Sequence, residues 1–226
     1  MNAFNQLRKT FLTALAALCL SASLQAQETQ STYWTTIQKF RAADSVQAPP
    51  KKAILFVGSS SFTRWNNMQE WFPAHTVLNR GFGGSKLPDV KLYFEQTKLP
   101  KKLKQVVIYA GDNDLAGGNV AARDILQRFQ DIVKLIRKEQ PRIPIAFVSI
   151  KGCPSRAKLI PLVKEANALV KAYADKEKNI DFIDVFSPTM TPDGRPMPDI
   201  YVEDGVHLNT KGYKIWASVI EPHLKK

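Results

Sequence analysis

The chain has 226 residues, 44% of them hydrophobic, with 32 Lys and Arg against 20 Asp and Glu, a formal net charge of +12. Its two cysteines, Cys19 and Cys153, are too few for a disulfide framework or a cysteine-rich zinc site. The lysines are dispersed, with the densest set at Lys98, Lys101, Lys102 and Lys104, and no nucleic-acid-binding module accompanies them. A solvated cationic surface is therefore expected, with no nucleic acid as partner.

Residues 1–26 have the layout of a bacterial secretory signal. Arg8 and Lys9 carry the charge, residues 11–20 are apolar, and Leu24-Gln25-Ala26 offers a small-residue cleavage point. The apolar run is too short to span a bilayer, and Leu18 before Cys19 does not fit a lipoprotein signal, so no stable membrane anchor is expected. The chain is expected to be exported, to the periplasm or outside the cell. Cleavage after Ala26 leaves 200 residues with 30 cations against 20 acids, a net charge of +10. That is enough chain for one domain with a sizeable core.

Residues 27–50 are expected to hold a helix over 32–43, with Trp34, Ile37, Phe40 and Arg41 at helical spacing, and a connector ending in Pro49-Pro50. Residues 51–226 are expected to form the main domain. Its first strand is the apolar run 53–57, which stops at Gly58 and is followed by Ser59, Ser60 and Ser61. A helix or irregular turn then runs to Trp71, before Pro73 breaks it. A second strand is expected over 75–79, followed by Arg80-Gly-Phe-Gly-Gly-Ser85 and a helix reaching about Lys98. The third strand, 105–110, ends in Gly111-Asp-Asn-Asp114. Residues 120–139 place Ile125, Leu126, Phe129, Ile132, Val133 and Ile136 on one side of a helix. A fourth strand over 143–150, a helix over 157–176 and a fifth strand over 180–185 follow. A proline-rich loop, 187–206, leads to a last helix over 210–220.

Strand and helix alternate five times without a long linker or a repeat. That pattern predicts an α/β protein: a three-layer α/β/α sandwich with a five-stranded parallel sheet and right-handed crossovers. Flavodoxin-like order 2-1-3-4-5 is expected.

The ends of strands one, two and three each carry a glycine or polar cluster, and parallel strands would bring all three to one sheet edge. Open α/β sheets build their sites at that edge. A fourth cluster, Tyr201-Val-Glu-Asp-Gly-Val-His-Leu-Asn209, precedes the last helix. Each has an ordinary reading too. Ser60 on its own reads as an N-cap opening a helix, and Asp204-x-x-His207 as a capping acid beside a surface histidine. His75 and His223 occupy ordinary positions at a strand start and near the C-terminus.

Taken together the clusters resemble the SGNH (GDSL-type) hydrolase family. Gly58-Ser59-Ser60 is similar to the Gly-Asp-Ser block, with Ser60 at the nucleophile position by its spacing from Gly58. Asn79-x-Gly81-x-x-Gly84, Gly111-x-Asn113-Asp114 and Asp204-x-x-His207 match the later blocks in order. Two positions depart: Ser59 stands where the family has an acid, and Ser61 where it has leucine.

The resemblance implies a serine esterase with Ser60 as nucleophile, His207 as base and Asp204 as the acid orienting it. The oxyanion would be held by the backbone N–H groups of Ser60 and Gly84 and by the Asn113 amide. No metal or organic cofactor is implied. Arg64, Trp65, Phe82, Lys151 and Tyr201 are expected substrate contacts, with Trp71, Lys86 and Arg156 nearby; for Trp65 and Trp71 helix core is the stronger reading. With no long hydrophobic lid in the sequence, short acyl esters are expected, above all acetyl on a carbohydrate. The alternatives are a lysophospholipase or acyl-thioesterase, and a non-catalytic carbohydrate- or surface-binding domain on the same fold. A G-x-S-x-G elbow is ruled out because Phe62 stands where Gly is needed. Gly81-Phe-Gly-Gly-Ser-Lys86 lacks the spacings of nucleotide-binding loops.

Overall fold

A computed structural model describes residues 33–226, so the expected secretory signal at 1–26 lies outside the described residues. The first described helix is α1 (Trp34–Val46), which buries Ile37. Its Phe40 meets the Tyr93 ring edge-on at 6.2 Å and lies under the Arg80 guanidinium at 5.0 Å, while Arg80 pairs with Asp44.

Five strands follow: β1 (Ile54–Gly58), β2 (Val77–Gly81), β3 (Gln105–Tyr109), β4 (Ile145–Val148) and β5 (Ile180–Ile183). They pair in parallel throughout, in the order β2-β1-β3-β4-β5. The expected doubly wound architecture is borne out. The three central strands are buried at every residue, as their unbroken apolar runs require when both sheet faces are covered.

On one face, helices α4 (Leu87–Gln96), α6 (Ala122–Glu139) and α7 (Ile160–Ala174) pack side by side. There Phe129 of α6 reaches the Phe147 ring of β4 at 4.8 Å. On the other face, Ile54, Phe56, Val107, Tyr109, Ala146 and Val148 meet the last helix, α8 (Thr210–Ile220), through Tyr213, Trp216 and Ile220. Three short helices complete the layers: α2 (Ser60–Thr63), α3 (Met68–Trp71) and α5 (Asp112–Ala116). Among the described residues no helix is long and apolar enough to cross a membrane.

Most elements differ from expectation by a residue or more at an end, and two of the shifts bear on the site. Strand β2 starts two residues late, at Val77, because its partner is β1 in the register Ile54↔Val77 to Gly58↔Gly81. Asn79 and Gly81 are thus strand residues. The helix expected over 157–176 begins at Ile160, behind a 3-10 segment, Pro154–Leu159. Pro161 has no N–H to give to a preceding turn, so it sits in the first turn of α7 and the helix cannot extend backward through it.

The register aligns Gly58 with both Gly81 and Tyr109. The loops after β1, β2 and β3 therefore leave the same edge of the sheet, beside the point where strand order reverses.

Candidate active site

The edge is built first by a glycine. Gly58 has φ +150°, and a Cβ there would lie 1.8 Å from the Tyr109 carbonyl oxygen. Without a side chain the chain leaves β1 directly beside β3, and the Ser59 N–H still donates to Tyr109 O at 2.9 Å. Ser59, not Ser60, takes the N-cap position of α2, and its hydroxyl makes no capping hydrogen bond. Ser60 is the first helical residue, so the reading of Ser60 as an N-cap is corrected.

Helix α2 is clasped from two sides. Asn79 on β2 donates through Nδ2 to Phe62 O (2.8 Å) and accepts through Oδ1 from Gly81 N (2.8 Å). From α8, the Tyr213 hydroxyl donates to Ser61 O at 2.9 Å. Gly81 permits the close approach, since a Cβ there would lie 2.6 Å from Thr63 N.

The loop before α8 brings the fourth cluster across. Asn209 caps α8 by accepting from Gly212 N at 3.1 Å. Ahead of it, Asp204 Oδ1 accepts from the backbone N–H groups of Val206 (2.8 Å) and His207 (2.9 Å). Asp204 Oδ2 lies 2.6 Å from His207 Nδ1, and His207 Nε2 lies 2.9 Å from Ser60 Oγ. Desolvation raises the Asp204 pKa, but the hydrogen bonds from the His207 ring and from the two backbone N–H groups outweigh it. The carboxyl is held well below the usual carboxylate range. An ionised carboxylate only accepts, so Nδ1 carries the ring proton and the Nε2 lone pair faces the Ser60 hydroxyl.

Opposite the serine lie Gly84, with φ +81°, and Asn113. No described residue accepts a hydrogen bond from the backbone N–H of Ser60 or Gly84. Asn113 Nδ2 donates to Ser85 O (3.2 Å), and Asn113 Oδ1 accepts from Arg156 Nη2 (3.1 Å). These groups share a cleft of about 500 Å³ with Thr63, Gly83 and Arg64. A hydroxyl within hydrogen-bond reach of an imidazole, in a cleft also lined by an Asn amide and by residues with unpaired backbone N–H groups, can be activated to attack a carbonyl carbon. Among the described residues no group of three or more His, Cys, Asp and Glu side chains is placed to hold a metal ion.

Of the expected substrate contacts, Arg64 lines the cleft, half exposed, 3.7 Å from Asp204 Oδ2. The other four are corrected. Trp65 is core, 4.8 Å from the Tyr213 ring and 5.4 Å from Phe72. Phe82 is buried with its ring towards Tyr93. The Tyr201 hydroxyl turns inward to donate to Gly152 O. Lys151 is 1% exposed, with Nζ 2.8 Å from Asp112 Oδ2 and 2.9 Å from the Tyr109 hydroxyl.

Two acids support the site: Asp112, which the sequence reading did not single out, and Asp114, which it named only as the last residue of the third block. Asp112 is the buried partner of Lys151; burial works against both charges, but each holds the other ionised. The Asp112 pKa falls below its ordinary value and that of Lys151 rises well above it. Asp114 accepts from Leu87 N (3.0 Å) and Arg128 Nη1 (2.6 Å), which ties the loop carrying Gly84 to the helix carrying Asn113. The hint of Asp112 was an acid placed just after a buried strand.

Comparison with known proteins gives a family and a shared fold. Residues 42–215 match the GDSL-like lipase/acylhydrolase family. No curated protein matches the chain by sequence. A Streptococcus pneumoniae structure provisionally named platelet activating factor superposes with TM-score 0.75 at 20% identity, covering 94% of this chain and 99% of that one. A GDSL-like lipase from Bacteroides thetaiotaomicron superposes with TM-score 0.69 at 21% identity, over 83% and 96% of the two chains. A carbohydrate esterase family 3 protein from Talaromyces cellulolyticus gives 0.63 at 16% identity, over 76% and 95%.

Proposed function

We propose that this chain, which belongs to the GDSL-like lipase/acylhydrolase family, hydrolyses carboxylic esters through Ser60, His207 and Asp204. The observation that carries this is the unbroken run of hydrogen bonds from Asp204 through His207 to Ser60, 2.6 and 2.9 Å long, at the wall of an open cleft.

In this reading Ser60 Oγ attacks the ester carbonyl carbon while His207 Nε2 takes its proton. Asp204 stays ionised and stabilises the imidazolium. The tetrahedral oxyanion accepts hydrogen bonds from the Ser60 and Gly84 N–H groups and the Asn113 amide. Collapse breaks the bond to the alcohol oxygen, which leaves with the proton from His207. Water, deprotonated by the same imidazole, then attacks the acyl-enzyme; the acid departs and Ser60 recovers its proton.

The substrate is a short acyl ester, and acetyl on a carbohydrate fits best. Thr63, Gly83, Gly84, Asn113 and Val206 line the cleft around Ser60, a wall of small side chains. It gives a long alkyl chain little surface on which to gain the roughly 25 cal/mol per Å² of apolar burial. Arg64 and Arg156 supply donors for hydroxyl or acid groups on the alcohol part. The shared fold with a carbohydrate esterase points the same way by analogy alone. A lysophospholipid is the second reading, favoured by those arginines as phosphate partners.

The test is turnover of p-nitrophenyl esters of increasing chain length, followed by acetylated sugars. Acetate should be cleaved faster than octanoate, and octanoate faster than acetate would overturn the short-acyl reading.

A further inference from the structure

Asn113 has a carboxamide whose two ends are nearly the same shape, and only one orientation offers donors to an oxyanion. Nδ2 spends one of its two hydrogens on Ser85 O at 3.2 Å, leaving the second for a ligand. Oδ1 faces Arg156 Nη2 at 3.1 Å. A guanidinium has donors and no acceptor, so a flipped amide would set N–H against N–H there and oxygen against the Ser85 carbonyl.

Arg156 is itself held in place. Its residue sits at a break in the 3-10 segment, with φ −119° and ψ 25°, and its backbone N–H donates to Cys153 O at 3.0 Å. Nη1 lies 3.6 Å from Asp112 Oδ2, the carboxylate oxygen that Lys151 Nζ meets at 2.8 Å. The other Asp112 oxygen accepts from Asn113 N at 3.1 Å. One buried acid thus anchors both the backbone of Asn113 and the guanidinium that reads its side chain.

We infer that Arg156 is a positioning residue for the oxyanion donor: it selects the Asn113 orientation that presents Nδ2 to the cleft. A cation on Oδ1 also polarises the amide, which strengthens the opposite N–H as a donor. The inference rests on the proposed role of Asn113.

The test is a double-mutant cycle with Asn113→Ala, Arg156→Met and the pair, using p-nitrophenyl acetate, which has no negative charge for Arg156 to bind. Asn113→Ala should lower kcat by roughly 10²–10³, and Arg156→Met by roughly 10–10² with KM changed less than about threefold. The pair should be no slower than Asn113→Ala alone within about threefold. Arg156→Lys, which can still donate to Oδ1, should recover part of the loss. If Arg156→Met folds poorly, Arg156→Leu, which likewise has no donor, replaces it in the same cycle. Equal loss in both Asn113 backgrounds, or full kcat in Arg156→Met while Asn113→Ala is impaired, would overturn the inference alone. Full kcat in Asn113→Ala would overturn the oxyanion reading and the inference with it.

Discussion

His207 Nε2 lies 2.9 Å from Ser60 Oγ across 147 residues of chain. The contact is possible because the loop after β1 and the loop before α8 both end at one sheet edge, and Asp204 at 2.6 Å sets which ring nitrogen bears the proton. Asp204→Asn should therefore lose kcat by roughly 10⁴ with the fold unchanged, because an amide can stabilise the wrong tautomer. Steady-state kinetics with a circular-dichroism control checks this; a loss below about tenfold would leave Asp204 without the orienting role.

Lys151 and Asp112 form an ion pair that is almost wholly buried. Lys151→Met leaves the Asp112 carboxylate buried with Arg156 at 3.6 Å and the Asn113 N–H at 3.1 Å to offset it. The expected cost is about 3 kcal/mol or more, a fall in Tm of roughly 6–12 °C. In the native protein the folded Asp112 pKa is depressed, so its contribution is complete above the unfolded value of about 3.9 and lost as pH falls through the folded one. The folded Lys151 pKa is raised, so its contribution is complete below about 10.4 and lost as pH rises through the folded value. In the variant, burial lifts Asp112, and ionising it destabilises the fold. The gap between the two proteins in urea unfolding should then widen from pH 4 to pH 7. A gap independent of pH would contradict this.

Gly58→Ala would place a Cβ 1.8 Å from Tyr109 O at a φ of +150°. Backbone strain and steric overlap together should cost roughly 3–5 kcal/mol. Thermal unfolding of purified protein checks it, and a loss under about 1 kcal/mol would show that β1 and β3 can separate at this point.

Sheet order and the identity of the four clusters were legible because they depend on local pattern: apolar runs, glycines at strand ends and short fixed spacings. The side chains around them were not. Lys151 follows an apolar run just as a surface lysine would, and its partner Asp112 lies 39 residues earlier. Trp65 and Tyr201 have the composition of sugar-stacking residues, yet Tyr213 and Gly152, far away in sequence, draw them into the core. The end of β2, expected at Asn79, was misjudged for a related reason. Gly81 reads as a strand end by propensity, but pairing to β1 keeps it in the ladder, where close approach to Thr63 needs a residue without a side chain.

Export is expected from Arg8, Lys9 and the apolar residues 11–20. Protein expressed with its own N-terminus in a bacterial host should be recovered from the periplasm or medium beginning at Gln27. Recovery from the cytoplasm with residues 1–26 intact would contradict the reading.

The most direct measurement is covalent labelling with a fluorophosphonate, followed by peptide mass mapping. The expected result is a single adduct on Ser60, absent in Ser60→Ala, which should also lose turnover of p-nitrophenyl acetate by roughly 10⁴–10⁶. An adduct on Ser59, Ser61 or Ser85, or full turnover by Ser60→Ala, would contradict the assignment of Ser60 as the nucleophile.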